Sequence, residues 1–231
     1  MKAMILAAGR GERMMPLTAT CPKPLLKVDR KPLIQHQIEK LAAASITEII
    51  INTSYLGEQI QTFLGDGSQF NASITFSQED EILETGGGIE KILPFMEGQP
   101  FVVVNGDVWT DLDYQQMQRY CLSSDKAAHL ILIDNPAHNS VGDFSISADN
   151  LLLEPNGETY TYSGLGIFSE KLFAGYLKSS AKYPLLPLLK RGIQNKTITA
   201  EHYSGFWMDV GTPERLAQLE TYLAFNKKKK N

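Results

Sequence analysis

The sequence predicts an α/β fold: a Rossmann-like, doubly wound mixed sheet flanked by helices, with a small β-rich lobe. Three observations predict it. Short, uninterrupted apolar runs recur along the first two-fifths of the chain, as in strands covered on both faces. Between them stand segments whose apolar residues follow helical spacing. That strand–helix–strand rhythm requires parallel strands joined by right-handed crossovers.

The elements follow in order. "AMILAA" reads as a buried strand, and "KPLIQHQIEKLAAAS" as an amphipathic helix with Leu33, Ile34, Ile38 and Leu41 on one face. "TEIIINT" is a β-branched run suited to a central parallel strand. "LGEQIQTFLG" is a second helix, "ASITFSQ" a third strand, "GIEKILPF" a third helix, and "PFVVVNGD" a fourth strand ending at Asp107. Beyond it, "DLDYQQMQRYCL" reads as helix and "AAHLILID" as another buried strand. "GDFSISADN", "LLLEP" and "TYTYSGLGIF" are short strand-like pieces separated by turn residues, which predict hairpin excursions forming the lobe. "EKLFAGYLK" and "LLPLLKRGI" read as helices. "GFWMDVGTPERLAQLETYLAFN" is a strand ending at Asp209 and then a helix, capped by Thr212 with Pro213 at its first position. One domain over 1–226 is expected, with a nucleotide half to about 110, a second half over 111–226 and a basic tail at 227–231.

Composition limits the function. With 231 residues, 43% hydrophobic and 21% charged, the chain is long enough for a sizeable core. A net charge of −4 argues against a nucleic-acid binder, which carries a basic face. No segment approaches the apolar length of a membrane span, about 20 residues, so no membrane partner is expected. Cys21 and Cys121 form no metal or redox spacing, and the four histidines show no ligand pattern and read as surface or structural. A cytoplasmic location is the expectation.

The glycine loop after the first strand lies where open α/β sheets bind ligands. A dinucleotide fingerprint would place glycine at position 14, and that residue is Met14. Asp29 lies at a ribose-binding distance from Gly9, but the proline-punctuated segment between them is not a helix and strand. No Walker loop occurs anywhere.

"LAAGRGERMMPLT" followed by "PKPLL", with "VNGDVWTD", "ETGGG" and "DVGTPERL", resembles the sugar-phosphate nucleotidyltransferases along nearly the whole chain. The resemblance implies transfer of a nucleotidyl group from a nucleoside triphosphate to a sugar 1-phosphate, with release of pyrophosphate. It implies that Leu6, Ala7, Ala8, Gly9, Gly11, Glu12, Arg13 and Lys23 bind the nucleotide, glycine backbone passing close to the phosphates. Arg13, Lys23 and Asp107 would be catalytic, and Asp107 with Asp209 would hold Mg2+, with Asp111 and Asp113 as second choices. Leu83, Glu84, Gly86 and Gly87 would line the base, with Glu79 or Gln78 nearby; Glu84 stands where many relatives have glycine. On the sugar side it implies Asn105, Gly106, Asp143, Glu154 and Gly164, although Asp143 and Glu154 read equally well as turn acids.

The family's attacking group is an already ionised phosphate, so no general base is expected, in keeping with the absence of a His or Cys nucleophile arrangement. Because the chain stops just after the Asp209 helix, forms with a C-terminal acetyltransferase β-helix are not expected. Among short members, "DNPAHN" and "GDF" are similar to those that use UTP and a muramic acid 1-phosphate in cell-wall recycling. Members using mannose 1-phosphate with GTP, or glucose 1-phosphate with a thymidine nucleotide, stay open. An inactive nucleotide-sugar sensor is the alternative of another class.

Overall fold

The structure is a computed structural model that describes residues 1–120, 122–176, 178 and 180–230. Cys121 therefore lies outside the described residues. The strands are β1 (Lys2–Leu6), β2 (Lys27–Val28), β3 (Lys31–Pro32), β4 (Glu48–Thr53), β5 (Ser73–Gln78), β6 (Phe101–Asn105) and β7 (Val108–Thr110). They continue as β8 (Ala128–Ile133), β9 (Ser145–Ile146), β10 (Leu152–Leu153), β11 (Thr161–Phe168), β12 (Ile198–Tyr203) and β13 (Trp207–Asp209). The helices are α1 (Leu33–Ala43), α2 (Gly57–Leu64), α3 (Glu84–Met96), α4 (Leu186–Gln194) and α5 (Pro213–Lys230).

Seven strands form one sheet in the order β12-β8-β11-β6-β1-β4-β5. β11 alone runs against its neighbours, which makes the sheet mixed. The period-two geometry of a strand divides the apolar runs between two cores. Ala3 and Ile5, Ile49 and Ile51, and Val102 and Val104 join Ile34 and Ile38 of α1 and Ile60 of α2 on one face. Met4, Ile50 and Val103 join Ile89 and Ile92 of α3 and Leu188 and Leu189 of α4 on the other. Both faces are covered, so these strands need no polar alternation. After β5 the chain crosses β1 to reach β6, and this reversal places the switch point beyond the ends of β1 and β6.

Two small ribbons complete the frame. β7 pairs with β13 antiparallel, and β2 with β3, whose turn residues Asp29 and Arg30 both have positive φ. β9 and β10 form the hairpin expected of the lobe.

Two helices expected from periodicity do not form. Among the described residues of 111–122 there is only a single 3₁₀ turn, Gln116–Arg119. Thr110 Oγ1 accepts from the N–H of Leu112, the N–H of Asp111 donates to Phe206 O, and the Tyr114 hydroxyl donates to Gln37. These bonds commit its polar groups to local and distant partners in place of a continuous helical ladder. Over 170–178 only Glu170–Leu172 is helical, because Gly175 turns the chain at φ 67°. The basic run, expected as a separate frayed tail, continues α5 as far as Lys230.

Candidate active site

A cleft of about 510 Å³ opens at the switch point. Leu6, Ala7, Ala8, Gly9, Gly11, Glu12, Arg13 and Lys23 all line it, together with Glu79, Asn105 and Asp107. The loop after β1 is shaped by its own sequence. Gly11 has φ 66°, and a Cβ there would come within 3.0 Å of Thr18 and 3.1 Å of Lys23. Thr18 Oγ1 and Met14 N–H both donate to Gly11 O, at 2.9 and 2.8 Å. Met14 is fully buried in a cluster with Val28, Leu33, Val210 and Leu219, so the residue that breaks the dinucleotide pattern anchors the loop to α5. Arg13 stays exposed beside the cleft.

The floor is a buried polar relay that sequence reasoning did not identify. Asn52, at the end of β4, accepts the N–H of Ala7 at 2.7 Å and donates to Glu79 Oε1 at 2.8 Å. Glu79 Oε2 accepts the N–H of Leu83 at 2.9 Å. Both side chains are almost entirely buried, so Glu79 holds two loops in register and spends its carboxylate there. A Cβ at Gly88 would meet Asn52 and Glu79, each at 3.1 Å, which accounts for a glycine at that position.

The segment expected at the base reaches the cleft through Ile82, Glu84 and Thr85, not through Leu83, Gly86 and Gly87. α3 begins at Glu84, and this turns the glycines onto its packed face. A Cβ at Gly87 would lie 2.1 Å from Ala181 O, and one at Gly86 would lie 2.6 Å from Tyr183. Glu84 adopts φ 60°, the left-handed conformation that glycine takes freely.

The two aspartates meet through the small ribbon. Asp209 pairs with Val108 across β7 and β13, and Val210 N–H donates to Asp107 O at 2.7 Å. Asp107 carries an ion pair with Lys23. Asp209 pairs with Arg215 at 2.7 Å, with His138 at 3.1 Å. Burial raises the Asp209 carboxyl above its ordinary range; Arg215 and His138 pull it back, while the charge of Asp107 pushes the same way as burial. His138, read from sequence as surface or structural, thus stands at the site.

Two carboxylates that already tolerate cations fit a hard divalent ion, which takes its other ligands from phosphate oxygens and water. Among the described residues there is no cluster of three or more His, Cys, Asp or Glu side chains that would hold a metal without substrate. Asp111 is turned away, accepting a 2.6 Å bond from Tyr203.

The expected sugar-side residues divide. Asn105 lines the cleft. Gly106 N–H donates to Leu6 O at 2.9 Å, and a Cβ there would come within 2.8 Å of that oxygen, so glycine lets β6 close on β1. Gly164 sits at the β11 irregularity with φ 78° and leaves room for Asn105, which a Cβ would meet at 2.6 Å. Asp143 is used within the fold, accepting from Asn139 at 3.0 Å and from Tyr162 N–H at 2.8 Å. Glu154 is exposed after β10 and does not line the cleft.

A glycine-lined loop carrying Arg13 and Lys23, facing two ribbon-joined aspartates at the sheet switch point, is the arrangement of a phosphate-handling transferase. The Nucleotidyl transferase family model matches residues 2–224. The chain belongs to that family. It is 46% identical over 225 residues to the N-acetylmuramate alpha-1-phosphate uridylyltransferase of Neisseria meningitidis serogroup B, covering 95% of this chain and 97% of that one. It is 32% identical over 230 residues to the mannose-1-phosphate guanyltransferase of Kluyveromyces lactis, covering 93% of this chain and 62% of that one. Among solved structures, a putative glucose-1-phosphate thymidylyltransferase from Bacillus anthracis in complex with a sucrose superposes with a TM-score of 0.85 at 25% identity, over 96% of this chain and 94% of the other. HddC from Yersinia pseudotuberculosis, complexed with GMP-PN, gives 0.77 at 25% identity, over 96% and 99%. This nucleotidyl transferase has no described helix long and apolar enough to cross a membrane.

Proposed function

We propose that the protein transfers a uridylyl group from UTP to N-acetylmuramic acid 1-phosphate, giving UDP-N-acetylmuramic acid and pyrophosphate in cytoplasmic cell-wall recycling. The observation that carries this reading is near full-length similarity to the Neisseria uridylyltransferase, at 46% identity, together with the Lys23–Asp107 ion pair in the cleft and the ribbon that sets Asp209 near it. The half up to about residue 110 would take the nucleotide, and the rest the acceptor.

In this reading an ionised oxygen of the acceptor phosphate attacks the α-phosphorus in line, the new P–O bond forms, and the bond to pyrophosphate breaks. No proton has to be removed from the nucleophile. Catalysis is then positioning and charge neutralisation. Arg13 would meet the departing pyrophosphate as a bidentate donor, and Lys23 would leave Asp107 to neutralise the α-phosphate. Mg2+ held by Asp107 and Asp209 would supply further neutralisation of the reacting phosphates. The Asn52–Glu79 relay would keep the Ala7 and Leu83 backbones fixed beneath the nucleotide.

Pyrophosphate release, measured with Mg2+ and each nucleoside triphosphate against a panel of sugar 1-phosphates, tests the reading. Release is expected with UTP and N-acetylmuramic acid 1-phosphate. Release confined to GTP with mannose 1-phosphate, or to a thymidine nucleotide with glucose 1-phosphate, overturns the assignment.

A further inference from the structure

We propose that Arg215 and His138 form a cationic pocket that receives an anionic oxygen group of the acceptor sugar phosphate. This rests on the sugar 1-phosphate reading above. The cations lining the cleft, Arg10, Arg13 and Lys23, all come from the loop after β1. Arg215 and His138 come from the other half, one from the first turn of α5 and one from the short 137–139 turn.

Arg215 is not placed for the benefit of its helix. A cation in the first turn faces the positive end of the helix dipole, where acids are favoured. Its side chain is nevertheless only 12% exposed, so the fold holds it in place deliberately against that cost. Nη1 makes the polar contacts, 2.7 Å to Asp209 and 2.8 Å to His138 Nε2. Nε is buried and has no partner among the described residues. Nη2 lies over Gly211, where a Cβ would come within 2.1 Å of it, and Gly211 is part of the cleft wall. Arg13 Nη2 approaches the same glycine, 3.2 Å from that Cβ position. The two guanidiniums thus converge on one residue from opposite halves of the molecule.

A guanidinium offers its donors as a rigid fork, and the Nε–Nη2 edge is one of the two faces that match a pair of anionic oxygens. Here that edge makes none of the contacts to Asp209 and His138; its Nη2 end lies over the cleft-wall residue Gly211, and its Nε is covered by the fold. His138, 44% exposed, adds a donor on the open side. A phosphate or a carboxylate fits this edge equally, and the acceptor assigned above carries both: its 1-phosphate and the carboxylate of its lactyl group.

Steady-state kinetics on Arg215→Gln, Arg215→Lys and His138→Gln, with UTP and acceptor varied separately, test the proposal. Loss of one charge-assisted contact is expected to raise the acceptor KM about tenfold or more in Arg215→Gln, with partial recovery in Arg215→Lys and UTP KM within about twofold. Competition by N-acetylglucosamine 1-phosphate, which lacks the carboxylate, separates the sources. Weakening of both acceptors assigns the phosphate; weakening of the muramic acid acceptor alone assigns the carboxylate. Calorimetric titration of acceptor into wild type and Arg215→Gln reads binding without turnover. An unchanged acceptor affinity, an equal rise in UTP KM, or a lowered Tm with both KM values unchanged overturns the proposal. Absence of pyrophosphate release by the wild type with every acceptor would instead strike the reading on which it rests.

Discussion

The main-chain oxygen of Asp107 accepts a 2.7 Å hydrogen bond from the N–H of Val210, and this bond, with the β7–β13 pairing, keeps Asp209 close enough for the charge of Asp107 to push its carboxyl upward. Lys23 reaches the pair from the glycine loop. Lys23→Ala and Asp107→Asn are therefore expected to lower kcat by at least about 10²–10³, the usual loss for one preorganised electrostatic group. Both sites are part-exposed, so circular dichroism and Tm are expected to stay near wild type. Near-normal turnover in either variant would remove these residues from the mechanism.

Among the described residues Asn52 is the only side chain bonded to Glu79 in the buried floor. Replacing it by Leu strips the carboxylate of a partner and frees the Ala7 N–H. Denaturant unfolding of Asn52→Leu is expected to show a loss of roughly 2–4 kcal/mol, since an acid stranded in the interior is costly. Nucleotide KM is expected to rise as well, because the relay fixes the Ala7 and Leu83 backbones at the cleft where the nucleotide is proposed to bind.

The start of α3 holds two positions with opposite responses to glycine. Glu84→Gly relieves a left-handed non-glycine residue and is expected to stabilise by about 0.5–1 kcal/mol. Gly87→Ala forces a methyl against Ala181 O, where only 2.1 Å is available, and is expected to cost roughly 2–3 kcal/mol. Thermal melts of the two variants should move in opposite directions.

His129 is buried on β8, its Nδ1 2.8 Å from Thr199 Oγ1 and its Nε2 without a partner among the described residues. Burial lowers its pKa from 6.5 to about 4. The unfolded chain therefore binds a proton at a pH where the folded chain does not. The contribution is complete above pH 6.5 and is lost as pH falls toward 4, about 3 kcal/mol in all. Urea midpoints over this range are expected to fall more steeply for wild type than for His129→Gln; parallel slopes would contradict the assignment.

Much of this was legible in the chain. The apolar runs of β1, β4 and β6 announce buried parallel strands because both faces are covered. Arg13, Lys23, Asp107 and Asp209 belong to motifs short enough to be seen whole. What was not legible depends on partners distant in sequence. Tyr114 and Asp111 follow a helical pattern, yet bonds to Gln37 and Phe206 tie the segment to distant partners, and only a 3₁₀ turn forms among its described residues. Gly86 and Gly87 read as a loop, but a helix seated on the 181–184 segment needs their missing side chains. Asn52 closes a buried strand and gave no polar signal beyond its type, and His138 shares a site with Asp209 only through tertiary folding.

Met14 ties the glycine loop into a cluster with Val210 and Leu219, so a segment synthesised early is braced by one synthesised much later. The first-half strands of the seven-stranded sheet have all their neighbours except β11 early, yet β7 lacks its partner and the glycine loop has no wall to lean on until β13 and the first turns of α5 have left the ribosome. Competence to handle phosphate is then expected to arise late and all at once, with the incomplete chain folded in part but unable to act.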